Sequence, residues 1–88
     1  MEIVIISEDN HGVIGTATTD KAAKQWLIRE GWVDKYSEIW NPDTDKNHTL
    51  IEVYGDNWEN AYINFDREYM ECMGFYFHDE ELIEEFEV

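Results

Sequence analysis

Two periods of hydrophobic and polar positions alternate along this chain, and each change of period marks an element. From Glu2 to Ser7, Ile3 and Ile5 point to one side of an extended strand and Val4 and Ile6 to the other, so both faces are apolar. A strand of that kind belongs inside a sheet, covered on two sides, and not at its edge. The polar run Glu8-Asp9-Asn10-His11-Gly12 predicts a hairpin turn, and Val13 to Thr18 returns as a second strand. Gly15 within that strand predicts a bulge or a close neighbour.

The period then lengthens. Thr19 or Asp20 caps a predicted helix running to Glu30, with Ala22, Ala23, Trp26 and Leu27 on its apolar face and Gly31 as its stop. Lys21, Lys24 and Arg29 fall on the other side, which makes this helix the one locally basic surface. A short strand is predicted at Glu38 to Trp40, a turn at Asn41-Pro42-Asp43-Thr44-Asp45-Lys46-Asn47, and a strand rich in β-branched residues at Thr49 to Tyr54. From Gly55 to Gly74 the helical period is strongest. Trp58, Ala61, Tyr62, Phe65, Tyr69, Cys72 and Met73 share an arc of roughly 120° on a single long helix that Asp56 or Asn57 would cap and Gly74 would end.

Past Gly74, Phe75-Tyr76-Phe77 reads as extended or irregular, and Asp79 caps a short final helix with Leu82, Ile83 and Phe86 on one face. A strand from Phe75 to His78 that joins the sheet is the competing reading. These elements predict one α+β domain spanning residues 1–88, an antiparallel four-stranded sheet in the order ββαββα with two helices packed on it and a short acidic C-terminal helix or strand.

Charge changes the picture more than composition does. Against 21 Asp and Glu stand 6 Lys and Arg, a net charge of −15, and the imbalance grows toward the end: residues 52–88 hold twelve acids and one base, Arg67. Such a field repels nucleic acid and anionic membranes, so neither is an expected partner. Ile3 to Ile6 is too short for a signal-peptide core, and no run approaches the roughly 20 apolar residues of a membrane span; a cytoplasmic protein is expected. The lone Cys72 lies on the apolar arc and reads as a small buried hydrophobe.

Candidate chemistry is sparse. Asp43, Asp45 and Asn47 copy the first three ligand positions of an EF-hand loop, but His48 and Tyr54 stand where that loop needs Gly and Glu, so the match reads as turn composition. His11, His48 and His78 have no metal-ligand spacing. No nucleophile elbow or phosphate loop occurs, and the expectation is a protein without metal, cofactor or enzymatic activity.

What remains is the acidic rows. Glu68 and Glu71 lie on the long predicted helix, and Asp79, Glu80, Glu81, Glu84, Glu85 and Glu87 on the last one. Like charges one helical turn apart repel, by about 0.2–0.5 kcal/mol per pair. Solubility needs only scattered charge, so the crowding points to a basic protein surface as partner. The plainer alternatives are a solvating face and an interaction module that uses Tyr36, Trp40, Phe75 and Phe77 as contact aromatics, with a second copy of the chain covering the open side of the sheet as a homodimer.

The Ile3-to-Ser7 strand with its His11-Gly12 turn and Ala22-Ala23 helix, and the Tyr54-Gly55-Asp56-Asn57-Trp58 lead into an acidic helix, resemble the small acidic accessory proteins of bacteriophages and prophages. In size and acidity the chain is also similar to phage anti-CRISPR proteins and other DNA mimics. That resemblance implies a bacterial host cytoplasm and inhibition of a host nucleic-acid-binding protein, a nuclease or CRISPR effector, by a DNA-like negative surface.

Overall fold

A computed structural model describes residues 2–81. β1 (Glu2–Glu8) and β2 (Gly12–Ala17) form the expected antiparallel hairpin. Ile6 faces Gly15 and Ser7 faces Val13, so Ile14 is the extra residue of a bulge. A Cβ on Gly15 would lie 2.8 Å from the Trp26 ring, so the glycine supplies both the bulge and the close approach.

α1 (Asp20–Arg29) starts at Thr19, whose Oγ1 accepts from the Ala22 amide at 3.0 Å. At its other end the Leu27 carbonyl accepts from both Trp32 and Val33 amides, at 2.9 and 3.1 Å, while Gly31 takes φ +84°. Ala23 and Leu27 enter the core, and Lys24 goes in with them at 5% exposure. This corrects its expected place beside Lys21 and Arg29. Asp20, Ala23, Lys24 and Leu27 form one stripe at helical spacing, and the aliphatic stem of Lys24 lies along it while its ammonium donates to the Phe65 carbonyl.

The chain next makes a separate hairpin, β3 (Glu38–Asn41) with β4 (Lys46–Thr49), which does not join β1 and β2. The expected strand from Thr49 to Tyr54 is instead α2 (Leu50–Tyr54). Thr49 and Glu52 form a capping box: Thr49 Oγ1 accepts from the Glu52 amide at 3.2 Å, and Glu52 Oε1 accepts back from the Thr49 amide at 3.4 Å. That local satisfaction of two orphan donors prevails over the β-branched composition.

The long helix is also corrected. A 3₁₀ turn (Gly55–Asn57) leads into α3 (Trp58–Ile63), the chain leaves the helix at Asn64 and Phe65, and α4 (Arg67–Cys72) restarts after Asp66. Asp66 adopts φ −83°, ψ 177°, and its Oδ1 accepts from the Tyr69 amide at 3.0 Å, a cap inside what reads as one apolar arc. The break re-aims every side chain of α4. Met70 is its buried residue, Tyr69 is 50% exposed, and Cys72 is exposed and not the buried hydrophobe expected. Gly74, at φ +89°, ends α4 as its position predicts.

β5 (Phe75–Glu81) pairs antiparallel with β1 from Glu8↔Phe75 to Glu2↔Glu81, giving a three-stranded sheet in the order β2-β1-β5. The architecture is α+β, with three strands plus two in place of a single sheet of four. The strand reading of Phe75 to His78 holds, and Asp79 continues β5 where a helix cap is expected; the remainder of that final helix lies outside the described residues. β1 has a second edge whose amides and carbonyls need partners, and Phe75, buried, and Phe77, partly buried, pack on the core from that position. Neither aromatic is therefore free to be the contact residue that the sequence pattern suggests.

β1 is central, as its pattern requires. Val4 and Ile6 are buried in the core on the side where α1 packs, whereas Ile3 and Ile5 on the other face are only half-buried, so among the described residues one face of the sheet is covered. Tyr62, Ile6, Leu27, Leu50, Met70 and Val33 are the largest fully enclosed side chains. The Tyr62 hydroxyl is enclosed and has no hydrogen-bond partner among the described residues, and burial pushes the phenol up. Tyr62→Phe should therefore be neutral or stabilising, by up to about 1–2 kcal/mol, since it removes an unsatisfied donor and leaves the ring in place; chemical denaturation will measure it, and a loss of stability would mean that the hydroxyl is satisfied.

Candidate interaction surfaces

Every acidic residue in the described chain is exposed except Glu8 and Asp20, which are half-buried. Two of the few cations are meanwhile drawn inward. Lys24 is enclosed, where burial lowers its pKa and the nearby Asp20 and Asp66 oppose that shift. Arg67, at the start of α4, grips two carboxylates. Its Nε donates to Asp20 Oδ2 and its Nη2 to Asp20 Oδ1, both at 2.8 Å, while Nη2 reaches Asp79 Oδ1 at 2.7 Å and Nη1 reaches Asp79 Oδ2 at 3.2 Å. The Phe77 carbonyl accepts from Nη1 at 3.4 Å. One guanidinium thus ties the start of α1, the start of α4 and the middle of β5 in the forked geometry that suits arginine. The bond from Arg67 holds the Asp20 carboxyl below the usual range, and the two carboxylates hold Arg67 above its own.

The eight acidic residues singled out by the sequence pattern fall in three places. Glu68 and Glu71 are exposed on α4. Asp79, Glu80 and Glu81 are exposed on β5, where alternation places Glu80 on the open face, opposite Ile3, and Asp79 and Glu81 on the other. Asp79 is held by Arg67, and Glu80 Oε2 lies 3.3 Å from His78 Nε2. Glu84, Glu85 and Glu87 lie outside the described residues.

A second surface is aromatic. Ile39, Trp40, Asn41, Pro42 and Asp43 from the β3 hairpin face Val53 and Tyr54 of α2 and Tyr69 of α4 across a cleft of about 300 Å³. Phe65 organises it from beneath. The Tyr54 ring sits 5.8 Å from Phe65, and the Tyr69 ring stands edge-on to Phe65 at 5.1 Å. Burial, and then Tyr69, push the Tyr54 phenol up. Trp40, Val53 and Tyr69 are 44%, 45% and 50% exposed, a cluster of large apolar surface that a stable core would normally cover. The Asp43 carboxylate on the rim makes no hydrogen bond or ion pair with the described residues.

Sequence reasoning finds Trp40 for this surface and misses Tyr54 and Tyr69. Tyr54 reads as strand because the β-branched run masks the Thr49-x-x-Glu52 box, and Tyr69 reads as core because the helical period masks the Asp66 cap. Tyr36, another aromatic that the sequence offers as a contact, is 65% exposed, with the Lys35 ammonium 5.3 Å from its ring centroid.

The Asp43-Thr44-Asp45 turn is a hairpin loop in its own right. Asn41 Oδ1 accepts from the Asp43 amide at 2.9 Å, and Asp45 takes φ +56°, a conformation Asp tolerates. Among the described residues no three His, Cys, Asp or Glu side chains gather as metal ligands, and no helix is long and apolar enough to cross a membrane. Comparison with protein-family models, with curated proteins and with solved structures finds no match to this chain.

Proposed function

We propose that this chain works by binding a basic protein surface, and in its sharpest form that it inhibits a phage host's nucleic-acid-binding protein, a nuclease or CRISPR effector, by presenting a DNA-like negative face in the bacterial cytoplasm. The observation that carries the reading is the sorting of charge: carboxylates stay outward almost without exception, while Lys24 is enclosed and the half-buried Arg67 is held by two carboxylates. The outward field is strongly negative in balance, with Lys21, Arg29, Lys35 and Lys46 as its exposed cations, and such a field accelerates encounter with a cationic groove and selects against other acidic proteins.

The exposed Trp40, Val53 and Tyr69 favour a second reading, an interaction module of a phage-type protein without mimicry. The half-buried Ile3 and Ile5, with Val13 and Tyr76 exposed at 67% and 41%, are the face a homodimer would cover. The two readings part on salt and on charge. Replacing Glu68, Glu71, Glu80, Glu81, Glu84 and Glu85 together by Gln should abolish capture of the partner from a bacterial lysate while leaving the circular dichroism spectrum intact. Capture by the parent chain should fall steeply with added salt, since exposed charges are screened beyond about 8–10 Å at physiological ionic strength. Undiminished capture by the six-Gln variant rejects mimicry in favour of apolar contact.

A further inference from the structure

We infer that the cleft between the β3 hairpin and the α2 and α4 tyrosines receives an arginine side chain of the partner; the inference rests on the reading of that partner as a basic protein. Three aromatic residues and one acidic residue line it: Trp40, Tyr54, Tyr69 and Asp43. The faces of Trp and Tyr attract a cation through the ring quadrupole, and Trp is the best of them. A guanidinium suits this lining better than an ammonium. It is planar, so it stacks on Trp40 or Tyr69; it is weakly hydrated, so leaving water costs it less; and its fork can present two donors to one carboxylate.

The positions are prepared in advance. Phe65 is buried and braces both Tyr54 and Tyr69, so their rings lose little freedom when a ligand arrives. Asp43 is fixed at the backbone by the hydrogen bond its N–H donates to Asn41 Oδ1, yet its carboxylate is uncommitted among the described residues. Four acidic side chains on the elements that bear the cleft, Glu38, Glu52, Glu68 and Glu71, are exposed and add to the potential a cation meets on approach. An aromatic cleft of about 300 Å³ with acidic residues around it has ample room for a single cationic side chain and matches it in sign.

The test uses the whole chain and four blocked peptides: tri-arginine, tri-lysine, tri-citrulline and tetraproline, titrated by NMR near physiological salt while following the Trp40 indole and the Tyr54 and Tyr69 rings. Tri-arginine should move these signals selectively and bind about tenfold tighter than tri-lysine, which carries the same charge, or tri-citrulline, which carries the same shape without it. Trp40→Leu and Tyr69→Leu, which keep apolar bulk and lose the π face, should each weaken tri-arginine about tenfold. The six-Gln variant loses Glu68 and Glu71 from the surrounding field but no residue that lines the cleft, so it should keep a Trp40 response to tri-arginine, weakened only a few-fold. Equal response to tri-lysine spread over the acidic surface, or no effect of either Leu substitution, overturns the arginine site. A stronger response to tetraproline overturns it in favour of an extended proline-rich segment. In either case the lysate capture described above still reports separately on whether a basic protein is bound at all.

Discussion

Leu27→Ala should lower the melting temperature more than any surface substitution in this chain. Leu27 is fully enclosed, and alanine is the best helix former, so no loss of helical propensity mixes with the cavity that the missing side chain leaves. Large-to-small changes of this kind cost about 2–5 kcal/mol. A domain of 88 residues sits toward the low end of the roughly 5–15 kcal/mol typical of folded proteins, because so short a chain encloses proportionally less apolar surface. At about 4–8 °C per kcal/mol for a domain of this size, the shift is on the order of 10–40 °C. Helix α1 spans the junction of the three-stranded sheet, α3 and the Phe65 bend, so a cavity at Leu27 loosens all three. Calorimetry checks the prediction; a shift of only a few degrees would mean that the site collapses around the smaller side chain.

Arg67→Met has the second largest expected effect, and its signature is in the pH dependence. Methionine keeps the aliphatic stem and removes the fork that joins Asp20 and Asp79. The Arg67 side chain is 35% exposed and its partners 40% and 60%, so solvent screening holds the cost to about 1–2 kcal/mol, at the upper end for exposed pairs because two carboxylates share one guanidinium. Asp20 is lowered in the folded state from an ordinary value of 3.8. Its contribution to stability is accordingly complete above that value and is lost as pH falls through the depressed one. The parent chain should lose stability on acidification below about pH 4, and Arg67→Met should lose less over the same interval. Glu8, lowered by the bond from His11, and Glu52, lowered by the bond from Thr49, titrate in the same sense in both proteins and leave the difference to Arg67. Parallel denaturation curves at several pH values decide it: identical slopes would mean that the Asp20 pair contributes nothing to folding.

The parts of this fold legible in the sequence are those where one local rule acts alone. The twice-apolar β1, the Gly12 turn, the Thr19 cap and the Gly74 stop each follow from a single requirement of backbone or burial. The misreadings occur where two rules compete over the same residues. Thr49 to Tyr54 has strand composition and a helix cap, and the cap prevails because it satisfies amides that a lone strand at that place would leave unpaired. Gly55 to Gly74 has an unbroken helical period, but Asp66 offers a new start and the break lets Phe65 reach the core and accept from Lys24. Lys24 itself is hidden by its charge: only the packing partner, distant in sequence, shows that its stem is enclosed.

The acidic residues are legible as composition and not as geometry. Strand alternation separates Glu80 from Asp79 and Glu81, and no periodicity argument that treats those residues as helical can anticipate that separation. Nor does the sequence announce the cleft. Its aromatics come from residues 40, 54 and 69, brought together by two helix starts, at Thr49 and Asp66, that the hydrophobic pattern conceals.

The pairing of β5 with β1 has a consequence for synthesis. Glu8 meets Phe75 and Glu2 meets Glu81, so the sheet's middle strand waits for almost the whole described chain to be made before its second edge is occupied. Until then a growing chain displays an apolar ribbon of Ile and Val with unpaired amides, the kind of edge on which nascent chains stick to one another. Closing so wide a loop is also slow compared with folding a helix. Each carboxylate added after the first half of the chain raises the repulsion between unfinished copies, which opposes that sticking before any partner is met.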